Sequence, residues 1–317
     1  MNYIDHIDIG DFFSSKDTSI LEARVAESII KDGAVSVTGF PKCEKISQYL
    51  TFLRSFFDLS DADKRILAVK AYEKANKNIY RGYNPLPKTQ GHNYNETFDV
   101  GPEPHLPAPE LLSKSAFEEQ NVWPDEKQLK GWRDNALEYK RICKTVAGRI
   151  IIALANRLDG PSELAEKFCK SKNHTLRLLN YPTLPKDFRF TEPQVVDEAT
   201  GLSLVGRQHI DTGLLTILWQ SESGLQMLGR DKIWRNVPVK ENSVSIHCGD
   251  ILQMIGGDSL EATPHRVWGG KGQRFSAGYF LEPEWFDQIF PPKKDYDLKS
   301  YAQHLTDSFP TRFLADR

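Results

Sequence analysis

The sequence has few cysteines and no long hydrophobic run, and each shortage argues against a class of protein. Only 4 of the 317 residues are cysteine, and none forms a C-x-x-C pair, which argues against a zinc ribbon or a thioredoxin-type motif. Scattered cysteines are typical of free thiols in a reducing compartment. No apolar run approaches the roughly 20 residues that a membrane-spanning helix needs, and the first residues lack a signal-peptide pattern. The expected location is therefore the cytoplasm, away from any membrane.

An excess of charge of either sign is also missing. The chain has 41 basic and 43 acidic residues and a formal net charge of −2, without a long run of like charge. Because nucleic-acid-binding and membrane-surface proteins carry basic patches, neither kind of partner is expected. Hydrophobic residues make up 39% of the chain and charged residues 26%, proportions typical of a globular protein. The polar surface is compatible with a monomer.

The periodicity of apolar residues divides the chain near residue 125. For residues 1–125, this periodicity predicts an N-terminal region of helices and strands. An irregular middle segment is expected at 78–109, which is rich in Gly, Pro and Asn. Since irregular segments of that length are usually functional or mobile, this segment is expected to close over a substrate. Residues 126–317 predict a long helix, a strand-rich catalytic core and a C-terminal helix.

Apolar spacing and turn residues locate the individual elements. Spacings of three and four residues predict helices at 19–31, 43–57, 62–72, 125–158, 162–169 and 299–307. Short apolar runs between turn residues predict strands at 34–38, 176–181, 214–220, 224–228, 244–247, 251–254 and 276–281. Evenly spaced short strands of this kind favour a barrel or a jelly-roll pair of sheets.

The most informative pattern is a small set of polar residues in the C-terminal third. His209 and Asp211 are two residues apart, so on a strand both side chains point to the same face. His265 follows far enough along the chain for several strands to return a third ligand to the same point. Two histidines and one carboxylate are the ligand set of a mononuclear non-haem iron(II) site, which leaves coordination positions open for dioxygen and a co-substrate. Oxidative chemistry at such a site is therefore predicted.

Two other histidines compete with this interpretation. His6 and Asp8 form a second His-x-Asp pair, but no distal partner follows it, so a structural role is predicted for this copy. His247 is an alternative third ligand. Its position just before the turn at 248–250 favours a role as a lining or core residue.

Arg274 and Ser276 form a further pair with the same spacing. Both side chains should face inward on one strand, and an arginine can grip a carboxylate with two parallel hydrogen bonds. A buried arginine without a partner would be costly, so the interior should contain an anion. A dicarboxylate that chelates the metal would supply it. The alternative is that Arg274 pairs with a structural Asp or Glu.

Together these motifs resemble the isopenicillin N synthase-like branch of the iron(II)/2-oxoglutarate-dependent oxygenases. The resembling segments cover most of the chain: 34–40, 81–83, 96–101, 178–182, 224–226, 249–252, 265–267 and 274–276. The chain departs from the family pattern in having a single Tyr before Pro182, and His247 where Asn is frequent. The resemblance implies a mixed α/β (α+β) fold, with a double-stranded β-helix or jelly-roll core, a helical N-terminal region and a long backing helix.

The resemblance also implies cofactors and a reaction. Iron(II) would be held by His209, Asp211 and His265. The distal carboxylate of 2-oxoglutarate would be bound by Arg274 and Ser276, with Tyr181 adding a hydroxyl donor. The enzyme would oxidise an unactivated C–H bond of a small metabolite with O2, by hydroxylation, desaturation or oxidative cyclisation, and would release succinate and CO2. Asp211 argues against halogenation, because the halogenases of the family lack that carboxylate and bind chloride in its place.

The substrate is less visible in the sequence. Arg207 shares strand parity with His209, so it would either hold a substrate anion beside the metal or form a salt bridge at the barrel mouth. Other candidate substrate contacts lie on the middle segment and after the Arg-x-Ser motif: Arg81, Tyr83, Asn95, Phe98 and Phe280. This set favours a small, anionic substrate derived from an amino acid.

Two further functions stay open at this point. One is an iron(II) oxidase of the isopenicillin N synthase type, which takes all of its electrons from the substrate and needs no 2-oxoglutarate. The other is a non-catalytic binding protein that keeps the β-helix scaffold. Retention of all three candidate ligands together with Arg274 and Ser276 argues against the second, because a degenerate copy has no physical need for them.

Overall fold

The computed structural model describes most of the chain. The described residues are 2–14, 16–87, 93–104, 119–158, 162–189, 193–253, 259–269, 271–289 and 299–309. The α-helices within these ranges are α1 Ser19–Asp32, α2 Ile46–Arg54, α3 Asp61–Arg65, α4 Trp132–Leu158, α5 Ser162–Lys170 and α6 Tyr301–Ser308. The strands within them are β1 His6–Asp8, β2 Ala34–Thr38, β3 Gly82–Asn84, β4 Glu96–Val100, β5 His174–Tyr181, β6 Ser203–His209, β7 Leu215–Gln220, β8 Leu225–Leu228, β9 Trp234–Asn236, β10 Val244–Cys248, β11 His265–Gly269, β12 Arg274–Leu281, β13 Gln288–Ile289 and β14 Lys299–Ser300.

Two sheets form the core. The large sheet has the order β1-β2-β10-β7-β12-β5-β4-β3, and the small sheet has the order β6-β11-β8-β9. Strands β5, β7, β10 and β12 lie in the large sheet, whereas β6, β8 and β11 lie in the small one, so the chain crosses repeatedly between the sheets. This alternation confirms the predicted double-stranded β-helix. Strands from both sides of residue 125 share the large sheet.

Helix α4 backs the large sheet, as predicted. Its buried face follows the apolar stripe of the sequence and includes Trp132, Tyr139, Cys143 and Ile150, and the helix contacts β7 and β12. Cys143 is buried and free, which fits its predicted place in the core. None of the described helices combines the length and the hydrophobicity needed to cross a membrane.

Two helices of the N-terminal region are shorter than predicted, because other hydrogen bonds replace the helical ones at their ends. The helix expected at 43–57 is interrupted, because 3-10 turns at Cys43–Lys45 and Ser55–Asp58 flank α2. The helix expected at 62–72 ends at Arg65. Beyond it, the backbone pairs with β3 instead, since Tyr83 N donates to Leu67 O and Val69 N donates to Tyr83 O.

Two other expectations are wrong in secondary structure. The segment at 78–109 was expected to be irregular, and its residues 88–92 and 105–109 lie outside the described ranges. Its described part contains β3 and β4, which extend the large sheet beyond β5. Buried polar residues interrupt the apolar pattern that would indicate strand β4. Glu96 and Asp99 bond to Asn180 and Arg177, which are distant in sequence. The strand expected at 251–254 begins as a 3-10 turn at Asp250–Leu252, whose backbone N–H groups bond to Asp211 and Gly213.

Candidate functional site

Three side chains converge at one end of the small sheet, where β6 ends and β11 begins. His209 is the last residue of β6 and pairs directly with His265, the first residue of β11. Asp211 follows two residues later, and one donor atom from each of the three lies within 4.8 Å of the others. Asp211 Oδ1 is 3.7 Å from His209 Nε2 and 3.6 Å from His265 Nε2. The three donors are therefore close enough to share one metal ion.

Backbone carbonyls fix which ring nitrogen of each histidine faces the cluster. His209 Nδ1 lies 2.7 Å from the carbonyl oxygen of Arg207, and His265 Nδ1 lies 3.1 Å from that of Thr263. A carbonyl only accepts hydrogen bonds, so each Nδ1 carries the hydrogen. The lone pair on each Nε2 is thereby directed toward the cluster, as in metal sites whose histidines are oriented by outer partners.

The second carboxylate oxygen of Asp211 is fully engaged. Thr216 Oγ1 donates to Oδ2 at 2.6 Å, and His247 Nε2 lies 2.9 Å from the same atom. His247 has no exposed surface and stands behind Asp211, outside the three-donor cluster of the described residues. It is thus placed to orient the carboxylate, which leaves Oδ1 to face the two histidines.

Electrostatics keep the cluster in the form that metals bind. Burial opposes ionisation of Asp211, but His265 and the hydrogen bond from His247 outweigh it, so the pKa of Asp211 is lowered. Burial lowers the pKa of His265 to about 3, although Asp211 acts in the opposite direction. Both side chains therefore present unprotonated donor atoms at neutral pH, as metal binding requires.

A buried cation lies at the other end of the barrel. Arg274 is 3% exposed, and it donates to Gln220 Oε1 at 2.9 Å and to Ser276 Oγ at 3.2 Å. Its guanidinium carbon is 5.0 Å from the ring centroid of Tyr181. Nε has no hydrogen-bond partner within the described residues, and no carboxylate of those residues forms an ion pair with Arg274. Among the described residues, Glu222 interacts with Arg274 electrostatically, but it does not lie within ion-pair distance of the guanidinium.

Strand register links Arg274 to the cluster of three donor side chains, His209, Asp211 and His265. On β12 the inward positions are Arg274, Ser276, Gly278 and Phe280, and they pair in turn with Tyr181, Leu179, Arg177 and Thr175 of β5. On the other side, Phe280 pairs with Thr216, the residue that bonds to Asp211. Strand β12 therefore runs from Arg274 at one end of the barrel to the level of Asp211 at the other.

Two cavities meet at the cluster. The first, of about 380 Å³, is lined by His209, Asp211, Arg177, Arg207 and Phe280, among others. The second, of about 800 Å³, is lined by Tyr181, Asn95, Arg177 and His209, among others. Of the candidate substrate contacts, Arg207 and Phe280 thus border the first cavity, and Asn95 borders the second.

Three candidate substrate contacts lie elsewhere. Phe98 is fully buried and packs edge-on against Phe56 and Trp132, and Tyr83 is buried with its hydroxyl 2.5 Å from Glu96. Arg81 is 1% exposed and donates to Thr175 Oγ1, behind the wall of the first cavity. These residues are packing residues here, because β3 and β4 belong to the large sheet rather than to a loop over the barrel mouth.

Two family models match this chain. The model described as the 2OG-Fe(II) oxygenase superfamily matches residues 173–283, the part that contains the metal cluster and Arg274. The model described as the N-terminal part of non-haem dioxygenases in morphine synthesis matches residues 4–126. The chain belongs to the iron(II)- and 2-oxoglutarate-dependent oxygenase superfamily.

Individual proteins resemble this oxygenase over most of its length. Isopenicillin N synthase of Streptomyces jumonjinensis is 29% identical over 231 residues, which cover 71% of this chain and 67% of that protein. Proline hydroxylase buaE of Petromyces alliaceus is 26% identical over 272 residues, which cover 79% of this chain and 77% of that protein. A full-length Neurospora crassa protein, crystallised in complex with alpha-KG, shares the fold, with a TM-score of 0.76, 19% identity, and coverage of 96% and 95% of the two chains.

The residues of this oxygenase fit the cofactors of its superfamily. The enzyme is an oxidoreductase of the 2OG-Fe(II) oxygenase superfamily, which acts with dioxygen on small-molecule substrates. Two imidazoles and one carboxylate are a donor set that suits iron(II). The unpaired Nε of buried Arg274 suits a carboxylate group entering the barrel.

Some residues of the site were not predicted from sequence. Gln220 accepts a hydrogen bond from Arg274. The only local indication of this role is that a polar residue ends the otherwise apolar strand β7. The hydroxyl of Tyr301 in α6 lies within hydrogen-bond distance of the carbonyl oxygen of Thr212 and of Glu282, while Leu305 of the same helix borders the first cavity. Nothing in the pattern of the C-terminal helix indicates that it borders the cavity beside His209 and Asp211.

His247 provides a test of how Asp211 is positioned. We expect His247→Leu to weaken metal binding roughly 10–100-fold, the usual effect of losing an outer partner of a ligand, because Asp211 Oδ2 loses one of its two donors. Cobalt(II) titration followed by visible absorption would measure this affinity. His174→Leu is the matched control, since His174 lies on β5 against Tyr279, apart from Asp211. Equal affinities in both variants would contradict the orienting role.

Proposed function

We propose that His209, Asp211 and His265 hold iron(II) in this oxygenase. Asp211 would bind through Oδ1, because Thr216 and His247 occupy Oδ2, and the histidines would bind through Nε2. When bound, iron(II) with its co-substrate supplies the activation of dioxygen that oxidises a C–H bond. The protein holds the donor atoms in place and keeps them unprotonated.

The distal carboxylate of 2-oxoglutarate is bound, in this proposal, by Arg274 and Ser276, with Tyr181 beside them. The observation that carries the proposal is the burial of Arg274 without a carboxylate partner in the described residues, on the strand that also reaches the level of Asp211. A buried guanidinium is stabilised by an anion, and its fork matches a carboxylate. Gln220 holds the fork in place.

The substrate is proposed to be a small anion derived from an amino acid, oxidised by hydroxylation, desaturation or cyclisation with release of succinate and CO2. Arg207 and Phe280 border the first cavity beside His209, and Asn95 borders the second. A relative named proline hydroxylase supports an amino-acid-derived substrate. Because His209 lines both cavities, a molecule in either cavity would lie next to the metal.

A binding measurement and a product measurement test this function. Under anaerobic conditions, 2-oxoglutarate should give the iron(II)-loaded protein a visible charge-transfer band, because the co-substrate chelates the metal. In air, succinate should form from 2-oxoglutarate, and its formation should require iron(II).

The names of several relatives favour one alternative, an oxidase of the isopenicillin N synthase type. That enzyme would show neither the band nor succinate, and substrate oxidation would proceed without 2-oxoglutarate. Arg274→Leu serves as the comparison, since it should lose the band at 2-oxoglutarate concentrations that saturate the unaltered protein.

A further inference from the structure

Arg177 is a cation of the barrel interior that the cofactors do not use. It lies on β5 in the same strand parity as Tyr181, so both side chains face inward. Its Nε and Nη2 donate to Asp99 of β4 at 2.7 and 3.1 Å. The side chain of Asp99 has no exposed surface, whereas that of Arg177 is 22% exposed. Asp99 therefore holds the guanidinium from behind and leaves its other side toward open space.

One edge of this guanidinium is still available for a ligand. Arginine carries five N–H donors in a fixed plane, and Asp99 takes two of them. No described residue accepts from Nη1, and Nη2 retains a second hydrogen. Arg177 borders both cavities, together with His209 and Asn93. The open edge is thus at the junction of the two cavities, beside a metal-binding histidine.

The surroundings keep this group charged and give it a fixed direction. Burial alone would favour the neutral form, but the carboxylate of Asp99 outweighs it, so the pKa of Arg177 is raised above its usual value. Two hydrogen bonds to a buried carboxylate also prevent rotation of the fork. A cation that is already oriented binds an anion with little further loss of conformational entropy.

Strand register sets the distance between this cation and the reacting centre. Arg177 pairs with Gly278, and the next inward pair along the strands is Thr175 with Phe280. Two residues of a strand span about 7 Å, so Arg177 lies one inward step from the level where Thr216 holds Asp211. Gly278 places no side chain in front of Arg177, and the ring centroid of Phe280 is 5.9 Å from the guanidinium carbon.

We infer that Arg177 determines substrate specificity by binding a carboxylate of the substrate on its open edge, with the body of the substrate against Phe280. The inference rests on the proposed function and names the group that anchors the substrate. A planar carboxylate matches the two parallel donors that remain on Nη1 and Nη2. Arg207 borders the same cavity, so two guanidinium groups flank the place where the anion would lie.

Matched acids and amides test the inference. The probes are the proteinogenic L-amino acids and their N-acetyl derivatives, each beside the corresponding carboxamide, with succinate formation from 2-oxoglutarate as the readout. An acid should stimulate succinate formation at a concentration at least about 10-fold lower than its amide, because a charge-assisted hydrogen bond contributes roughly that factor or more. Equal responses to acid and amide, or no response to any acid, would overturn the inference.

A paired variant shows whether Arg177 causes the discrimination. Arg177→Gln alone leaves Asp99 buried without a counter-ion, which endangers folding, so the test uses Arg177→Gln together with Asp99→Asn. The double variant should lose the preference for the acid, while the anaerobic 2-oxoglutarate band reports that the metal and co-substrate sites are assembled. Retention of the wild-type preference in the double variant would reject Arg177 as the anchor.

The outcomes also separate this inference from the proposed function. Absence of both the anaerobic band and succinate in the unaltered protein would reject the proposed function itself. A normal band and normal succinate formation, without discrimination between acid and amide, would reject only the role of Arg177.

Discussion

Replacing Asp211 with alanine is expected to abolish iron(II) binding and turnover. The variant loses the only carboxylate among the three donors, and with it the only negative charge that attracts the cation. We expect the affinity for cobalt(II), used as an iron surrogate, to fall by more than about 100-fold, beyond the effect of losing an outer partner. Titration of the metal by visible absorption or calorimetry measures this loss without relying on activity.

The chain contains its own control for Asp211. Asp8 stands in the same His-x-Asp spacing as Asp211, but its carboxylate accepts from the backbone of Gly10, and His6 bonds to Ser36. Asp8→Ala should therefore leave metal affinity at the level of the unaltered protein. If Asp211→Ala bound cobalt(II) as tightly as Asp8→Ala did, the assignment of the metal site would be wrong.

Replacing Arg274 with leucine is expected to raise the concentration of 2-oxoglutarate needed for half-saturation by roughly 100-fold, a usual result of truncating one partner of a buried charge pair. The thermal stability of the protein without cofactors should not fall in parallel, since a buried arginine without a counter-ion contributes little to folding. Calorimetry for 2-oxoglutarate, together with thermal melts with and without it, would show both effects. A variant that kept normal affinity would place 2-oxoglutarate elsewhere.

Arg266 gives the matched comparison for Arg274. Its guanidinium stacks on Trp234 at 4.0 Å, much as that of Arg274 faces Tyr181, and it also lies on a core strand. Arg266 follows His265 with the opposite strand parity, so its side chain points away from the metal cluster. Arg266→Gln should therefore leave the affinity for 2-oxoglutarate unchanged.

The sequence predicts those parts of the site in which the functional residues lie two apart on the same strand. His209 with Asp211, and Arg274 with Ser276, each lie two apart, and strand parity brings each pair to one face without knowledge of the sheets. Arg177 could not be found in this way. Its role depends on Asp99, which lies on a strand that polar residues conceal, and on the register that places Gly278 in front of it.

The errors have the same physical origin. Tyr83 and Phe98 were expected near the substrate because they lie on the middle segment, which was expected to close over it, yet pairing between β3, β4 and β5 buries both. Tertiary pairing overrides local composition when a strand has partners that are distant in sequence. Within the barrel, apolar runs between turns predicted β5, β7, β8, β10 and β12, whereas β6, β9 and β11 of the small sheet were not among the expected strands.

The direct pairing of His209 with His265 has a consequence for how the metal site arises during folding. The two residues share one rung of an antiparallel ladder, and a shift of one residue in strand pairing would turn one imidazole to the opposite face. A complete site thus forms only after β11 has been synthesised and has docked on β6 in the correct alignment. In refolding experiments, acquisition of cobalt(II) colour would report correct strand alignment and not mere collapse of the chain.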